Sequence, residues 1–123
     1  MKQRRYTRVP FLRRALVESQ GQSMEVQCLD ISLRGVLLVR PEEVNWALEQ
    51  HVRFTLTLGD EQIVMECSVA HVDDDVVGCA CDSLGLESLI VLRRVLELNS
   101  ADPAMVQREL AELIRGDKFN QSA

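Results

Sequence analysis

Apolar and polar positions alternate along much of the first two thirds of the chain. Val52, Phe54, Leu56 and Leu58 are interleaved with Arg53, Thr55 and Thr57. That spacing sends one set inward and the other to water, as a half-buried strand requires. The run Ile63 to Val72 has the same period, with Val64, Glu66, Ser68 and Ala70 on one face and Ile63, Met65, Cys67, Val69 and His71 on the other. Gly59, Asp60 and Glu61 supply the turn between the two strands. Upstream, Ala15 to Ser19 and Met24 to Leu29 flank a turn at Gln20, Gly21 and Gln22. Gly35 to Val39 is continuously apolar, which predicts a strand buried on both sides. A turn at Asp73, Asp74 and Asp75 leads into a short strand, Val76 to Cys81. About six closely spaced strands favour an antiparallel barrel or sandwich over a βαβ fold.

The period then changes. From Leu84 to Asn99 the pattern is helical, with Leu89, Leu92, Val95 and Leu96 on one stripe and Asp82 or Ser83 as the expected N-cap. A second helix is expected to start at Asp102 and Pro103, to carry Val106, Leu110, Leu113 and Ile114 on one side, and to stop at Gly116. Glu42 to Glu49 is expected to form one further short helix. The expected organisation is mainly β (α+β): a basic arm over residues 1–11, a β-barrel over 12–83, helices over 84–116 and a tail over 117–123.

At 123 residues the chain suits one domain with its own core. No apolar run approaches the roughly 20 residues needed to span a bilayer. No apolar segment follows the N-terminal charges, so a secretory signal is not expected and a cytoplasmic location is. Cys28, Cys67, Cys79 and Cys81 then read as free thiols. They lack the paired spacing of a zinc site, and no metal is expected. Aromatic residues make up 4% of the chain, too few for a broad base-stacking surface. No nucleophile elbow, metalloprotease helix or phosphate loop is present, and no catalytic residue is expected.

Charge changes this picture. The opening MKQRRYTRVPFLRR holds six basic side chains, Lys2, Arg4, Arg5, Arg8, Arg13 and Arg14, and no acidic one. The whole chain has 14 basic and 19 acidic residues, a net charge of −5. Without the opening stretch, 8 basic residues face 19 acidic ones, a balance of −11. An anionic ligand would be repelled by most of this surface and attracted to one end.

Two short motifs give that end its chemistry. In RRYTR, Arg4 and Arg8 are spaced four apart with Arg5 between them; in DISLRG stand Asp30, Ser32 and Gly35. Arginine's planar fork matches two phosphate oxygens or the O6/N7 edge of guanine. An ionised aspartate only accepts, which complements the N–H groups on guanine's other edge, and serine can donate or accept. Glycine permits a sharp turn and a close approach. Arg13 and Arg14 suit a solvated strand face, and Trp46 suits a cap over the barrel or a contact of the short helix.

An RxxxR arm followed about 20 residues later by a [D/N]xSxxG strand resembles the PilZ domain family over nearly the whole chain. Arg4, Arg8 and the extra basic Arg5 match the first motif; Asp30, Ser32 and Gly35 match the second. Gly78 resembles the glycine of a later hydrophobic element of the family. The resemblance implies a six-stranded antiparallel β-barrel with trailing helices, and a non-enzymatic receptor for cyclic di-GMP that needs no cofactor. An arm of charged side chains with little apolar content cannot fold alone, so it is expected to order on ligand binding and to signal thereby to a downstream protein partner, without nucleic acid or membrane insertion. Arg34 either reaches a phosphate or points to solvent. His71 is either a partly buried strand histidine or a side chain turned toward the ligand. Two other readings remain: a PilZ-like scaffold for a motility or pilus protein that needs no nucleotide, and an arm that binds nucleic acid or another anion by charge alone.

Overall fold

The computed structural model describes residues 6–42 and 44–115. Six antiparallel strands close into a barrel: β1 (Val9–Ser19), β2 (Gln22–Ser32), β3 (Gly35–Val39), β4 (His51–Leu58), β5 (Glu61–Val72) and β6 (Val76–Leu84), in the order β1-β2-β3-β6-β5-β4. β1 closes the ring by pairing with β4 through Leu16–Thr55, Val17–Phe54 and Glu18–Arg53. Two-residue turns join β1 to β2, β2 to β3 and β4 to β5, as the direct pairs Ser19–Gln22, Ser32–Gly35 and Leu58–Glu61 show. Period two is what fills the interior: Val17, Val26, Phe54, Leu56, Ile63 and Met65 are all buried.

Two helices follow, α1 (Leu86–Asn99) and α2 (Pro103–Arg115). The expected stripe Leu89, Leu92, Val95 and Leu96 is buried. α1 is tied to the barrel by Ser88, whose Oγ accepts from the Val64 amide at 3.0 Å, and by an Arg94–Glu61 ion pair at 2.7 Å. Asp102 caps α2 as expected, its Oδ1 accepting from the Met105 amide at 3.3 Å. Along α2, Val106 and Leu113 are buried, Leu110 is partly buried and Ile114 is exposed. Among the described residues no helix is long and apolar enough to cross a membrane.

Several boundaries differ from the sequence reading. β1 begins at Val9, inside the stretch expected to be arm, because a register shift between Pro10 and Arg13 hides the strand's alternation. β6 runs on to Leu84 by pairing with Met65, so neither Asp82 nor Ser83 caps α1; Gly85 stands at that position without a side-chain bond. Among the described residues Glu42 to Glu49 contains no helix. Instead the Glu49 amide donates to the Val69 carbonyl, and the Gln50 carbonyl accepts from the Val69 amide, at 2.7 and 3.0 Å. The loop's polar backbone is thus spent on β5, while Trp46 packs against the core. β3 is not buried on both sides: Val39 is exposed and Leu37 half-buried. Gly116, the expected helix stop, and residues 117–123 lie outside the described residues.

Candidate functional site

The DISLRG segment is the end of β2, a two-residue turn at Leu33 and Arg34, and the start of β3. Ile31 and Leu33 anchor it in the core. Ser32 is only 1% exposed. Its hydroxyl accepts from the Arg34 amide at 3.1 Å and donates to the Gly35 carbonyl at 3.5 Å, so it braces the turn from inside. Gly35 lies at φ +157, and a Cβ there would stand 2.1 Å from the Cys79 carbonyl oxygen of β6. The close approach that Gly35 permits is that of the neighbouring strand. The Cys81 amide completes the seam by donating to the Arg34 carbonyl at 2.7 Å.

Beside this seam lies an open concavity of about 340 Å³, with Leu37 and Gly78 in its floor and Arg8, Arg34 and His71 around them. Leu37 and Gly78 are paired across β3 and β6. A Cβ on Gly78 would sit 3.4 Å from the His71 Cβ and 3.9 Å from the Leu37 Cδ1. The missing side chain therefore leaves a flat apolar floor between them.

His71 reaches this face through a register shift between Val69 and His71. Alternation alone places His71 with Ile63, Met65, Cys67 and Val69, which are buried. The bulge re-aims it outward, where its Nε2 meets Asp73 Oδ2 at 2.9 Å. A bulge carries no residue signature in a Val-Ala-His run, so period two could not find it.

Two guanidinium groups supply the charge. Arg8 Nη1 donates to Asp30 Oδ1 at 2.5 Å, the arginine half exposed and the aspartate less so. Arg34 lies over the Tyr6 ring at 5.3 Å, a cation–π contact that holds its fork beside the concavity. Arg34 is exposed and lines the concavity. Arg13 and Arg14 are on the exposed side of β1, Arg14 paired with Glu25 at 3.0 Å. Of the residues expected in the site, Arg8, Arg34, Gly35, His71 and Gly78 come together. Asp30 joins through Arg8, and Ser32 stands beneath. Arg4 and Arg5 lie outside the described residues.

Charge rather than size distinguishes this concavity. A larger groove, about 560 Å³, lies between the β4–β5 turn and α1, but Asp60, Glu61 and Glu87 line it and would repel an anion. The cysteines take no part as reactive groups. All four are buried; burial, reinforced by the Asp30 charge, pushes the Cys28 thiol up to about 12, burial pushes Cys79 up to about 11, and burial also raises Cys67. Cys28, Cys67 and Cys79 are protonated at neutral pH, and all four cysteines pack as small hydrophobes.

One buried charged residue escaped the sequence reading. Glu109 of α2 is buried, and both of its oxygens are used: Oε1 accepts from the Thr7 amide at 2.9 Å and Oε2 from the Thr7 hydroxyl at 2.8 Å. Its signal was its spacing, three after Val106 and four before Leu113, inside the apolar stripe.

Comparison with known proteins agrees with this architecture. The chain is similar in fold to the PilZ domain of CeSA from a cellulose-synthesizing bacterium, with 12% identity, a TM-score of 0.61, and coverage of 72% of this chain and 93% of that one. It is similar to Borreliella burgdorferi PlzA, solved in complex with c-di-GMP, with 17% identity and a TM-score of 0.57 over 73% of this chain and 39% of that one. It is also similar to the Bacillus subtilis inhibitor of motility MotI/DgrA, with 15% identity and a TM-score of 0.66 over 91% of this chain and 54% of that one. PilZ domains are a family of cyclic di-GMP receptors, binding modules rather than enzymes. The PilZ domain family model matches residues 2–98, and the chain belongs to that family.

Proposed function

We propose that this chain is a cyclic di-GMP receptor whose ligand sits in the concavity beside the β3–β6 seam. The observation that carries the reading is the convergence of Arg8 and Arg34 on an apolar floor left flat by Gly78. Two guanidinium groups suit a ligand with about two negative charges, and a flat floor suits a purine face. Arg8 spends one donor on Asp30, and the other donors of its fork are available to a phosphate. Arg4 and Arg5, just upstream in sequence, would add to the same grip. Asp30 would accept from a guanine edge once the ligand draws Arg8 away. Ser32 and Gly35 act by shaping the turn that presents Asp30 and Arg34. Binding orders the arm, and a downstream protein reads the change.

The test is a calorimetric titration with cyclic di-GMP, using GTP and RNA as competitors. Saturable binding that neither competitor displaces supports the reading. Steeply salt-dependent binding displaced by RNA points to an arm acting by charge alone. No binding leaves a scaffold that works without nucleotide.

A further inference from the structure

We infer that Glu109 is a positioning residue: it holds the ligand-gripping arm in register, so α2 sets how well Arg8 is presented. The inference deepens the cyclic di-GMP reading and rests on it. Thr7 directly precedes Arg8 and is fixed at two points by one carboxylate, its amide at 2.9 Å and its hydroxyl at 2.8 Å. The partner is 102 positions away in sequence, so local chain geometry does not impose the contact. Two-point attachment restrains both position and rotation of the residue, and therefore the direction in which Arg8 leaves the backbone. Tyr6, the residue before Thr7, packs against the core with the Arg34 guanidinium over its ring. Tyr6 and Thr7 are thus held by the β2–β3 turn and by α2.

Glu109 is costly where it stands. It lies between Val106 and Leu113 on the buried stripe of α2 and is 6% exposed. A buried carboxylate is tolerated when its oxygens are hydrogen-bonded, and Thr7 supplies a donor to each. A leucine would serve α2 packing alone. What the carboxylate adds is the hold on the arm. Removing it leaves more of the arm for the ligand to order during binding, and that added ordering weakens affinity. Coupling of this kind is reciprocal, so ligand binding also strengthens the Thr7–Glu109 contact.

The test separates positioning from packing. Glu109→Leu fills the stripe, so its thermal midpoint should equal or exceed that of the wild type. Its affinity for cyclic di-GMP should fall about tenfold, the scale of one charge-assisted hydrogen bond, and the Thr7 amide should exchange hydrogen faster without ligand. Thr7→Val should weaken binding while Thr7→Ser restores it. Wild-type affinity in Glu109→Leu overturns the inference, as does an affinity loss that merely follows a lowered melting midpoint. If the wild type does not bind cyclic di-GMP, the receptor reading fails, and Thr7 exchange decides the anchor: unchanged protection in Glu109→Leu overturns it, and faster exchange confined to the arm sustains it.

Discussion

In the β2–β3 turn, Ile31, Ser32, Leu33 and Gly35 are buried, and the segment is clamped to β6 by backbone hydrogen bonds. In the arm, Tyr6 to Arg8 hang on side-chain contacts: a ring under Arg34, two bonds to Glu109 and one to Asp30. Both segments serve one concavity. The first serves it as scaffold and the second as contact. The difference teaches that residues of one motif can divide between bracing a turn and carrying a charge. Ser32 and Gly35 hold up the wall from which Asp30 and Arg34 project. Damage to the turn should therefore appear in stability, and damage to the arm in affinity.

The largest expected effect is that of Gly35→Ala. The added methyl would meet the Cys79 carbonyl at 2.1 Å, at a φ that side chains rarely adopt. Relief requires parting β3 from β6. We expect a loss of about 3 kcal/mol, the scale of backbone strain and overpacking combined, read as a lowered urea midpoint. An unchanged midpoint would break the comparison on its scaffold side.

Arg8→Ala should do the reverse. Its bond to Asp30 joins a half-exposed guanidinium to a less exposed carboxylate, and such pairs contribute about 1 kcal/mol or less to stability. Loss of a charged phosphate contact is worth roughly 1.5–3 kcal/mol, so affinity for cyclic di-GMP should fall about ten- to hundredfold. Calorimetry beside thermal unfolding checks both halves of the statement.

The scaffold half has its own alkaline signature. Cys28 lies beneath Asp30, its thiol directed at the Asp30 carbonyl at 3.6 Å, and Cys79 presents the carbonyl that excludes a side chain at Gly35. Burial raises both thiols from 9.0, to about 12 and about 11. Below pH 9 the thiol is neutral in folded and unfolded chains alike, and its stabilising burial is fully present. Above that pH the unfolded chain ionises first and is favoured, until the folded thiol ionises as well. Stability should fall by roughly 1 kcal/mol per thiol for each pH unit above 9. Cys28→Val should flatten that slope between pH 9 and 11 in urea unfolding, and an unaltered slope would show that Cys28 does not carry it.

The barrel was legible because period two is a physical requirement of a half-buried strand, and the stripe of α1 because period 3.6 is one of a packed helix. The interior positions from Val52 to Val69 are where the alternation placed them. What escaped were shifts of register and contacts across the chain. One bulge turned His71 from the interior to the concavity, and another hid the start of β1. The expected helix at Glu42 to Glu49 gave way because its backbone pairs with β5. Glu109 escaped because its partner Thr7 is 102 positions distant. Around the concavity, the motif residues could be named from the sequence, but which of them are buried in the turn and which are exposed is not encoded in the motif.

The smallest effect sharpens the comparison most, because it sets two glycines of the same seam against each other. Gly78 is on β6, opposite Leu37. An alanine methyl there would meet only side-chain carbons, at 3.4 and 3.9 Å, which is ordinary contact. Its backbone lies outside the left-handed region, so alanine adopts it without strain. Replacing glycine under those conditions stabilises by about 0.4–1 kcal/mol, because the unfolded chain has less freedom to lose. The same methyl rises from the floor between Leu37 and His71 and displaces a flat ligand from it. Gly78→Ala should therefore raise the thermal midpoint slightly while weakening cyclic di-GMP binding a few-fold, whereas Gly35→Ala lowers the midpoint steeply. Opposite signs in stability from the same chemical change, on two strands that are hydrogen-bonded to each other, would mark where the scaffold ends and the ligand surface begins.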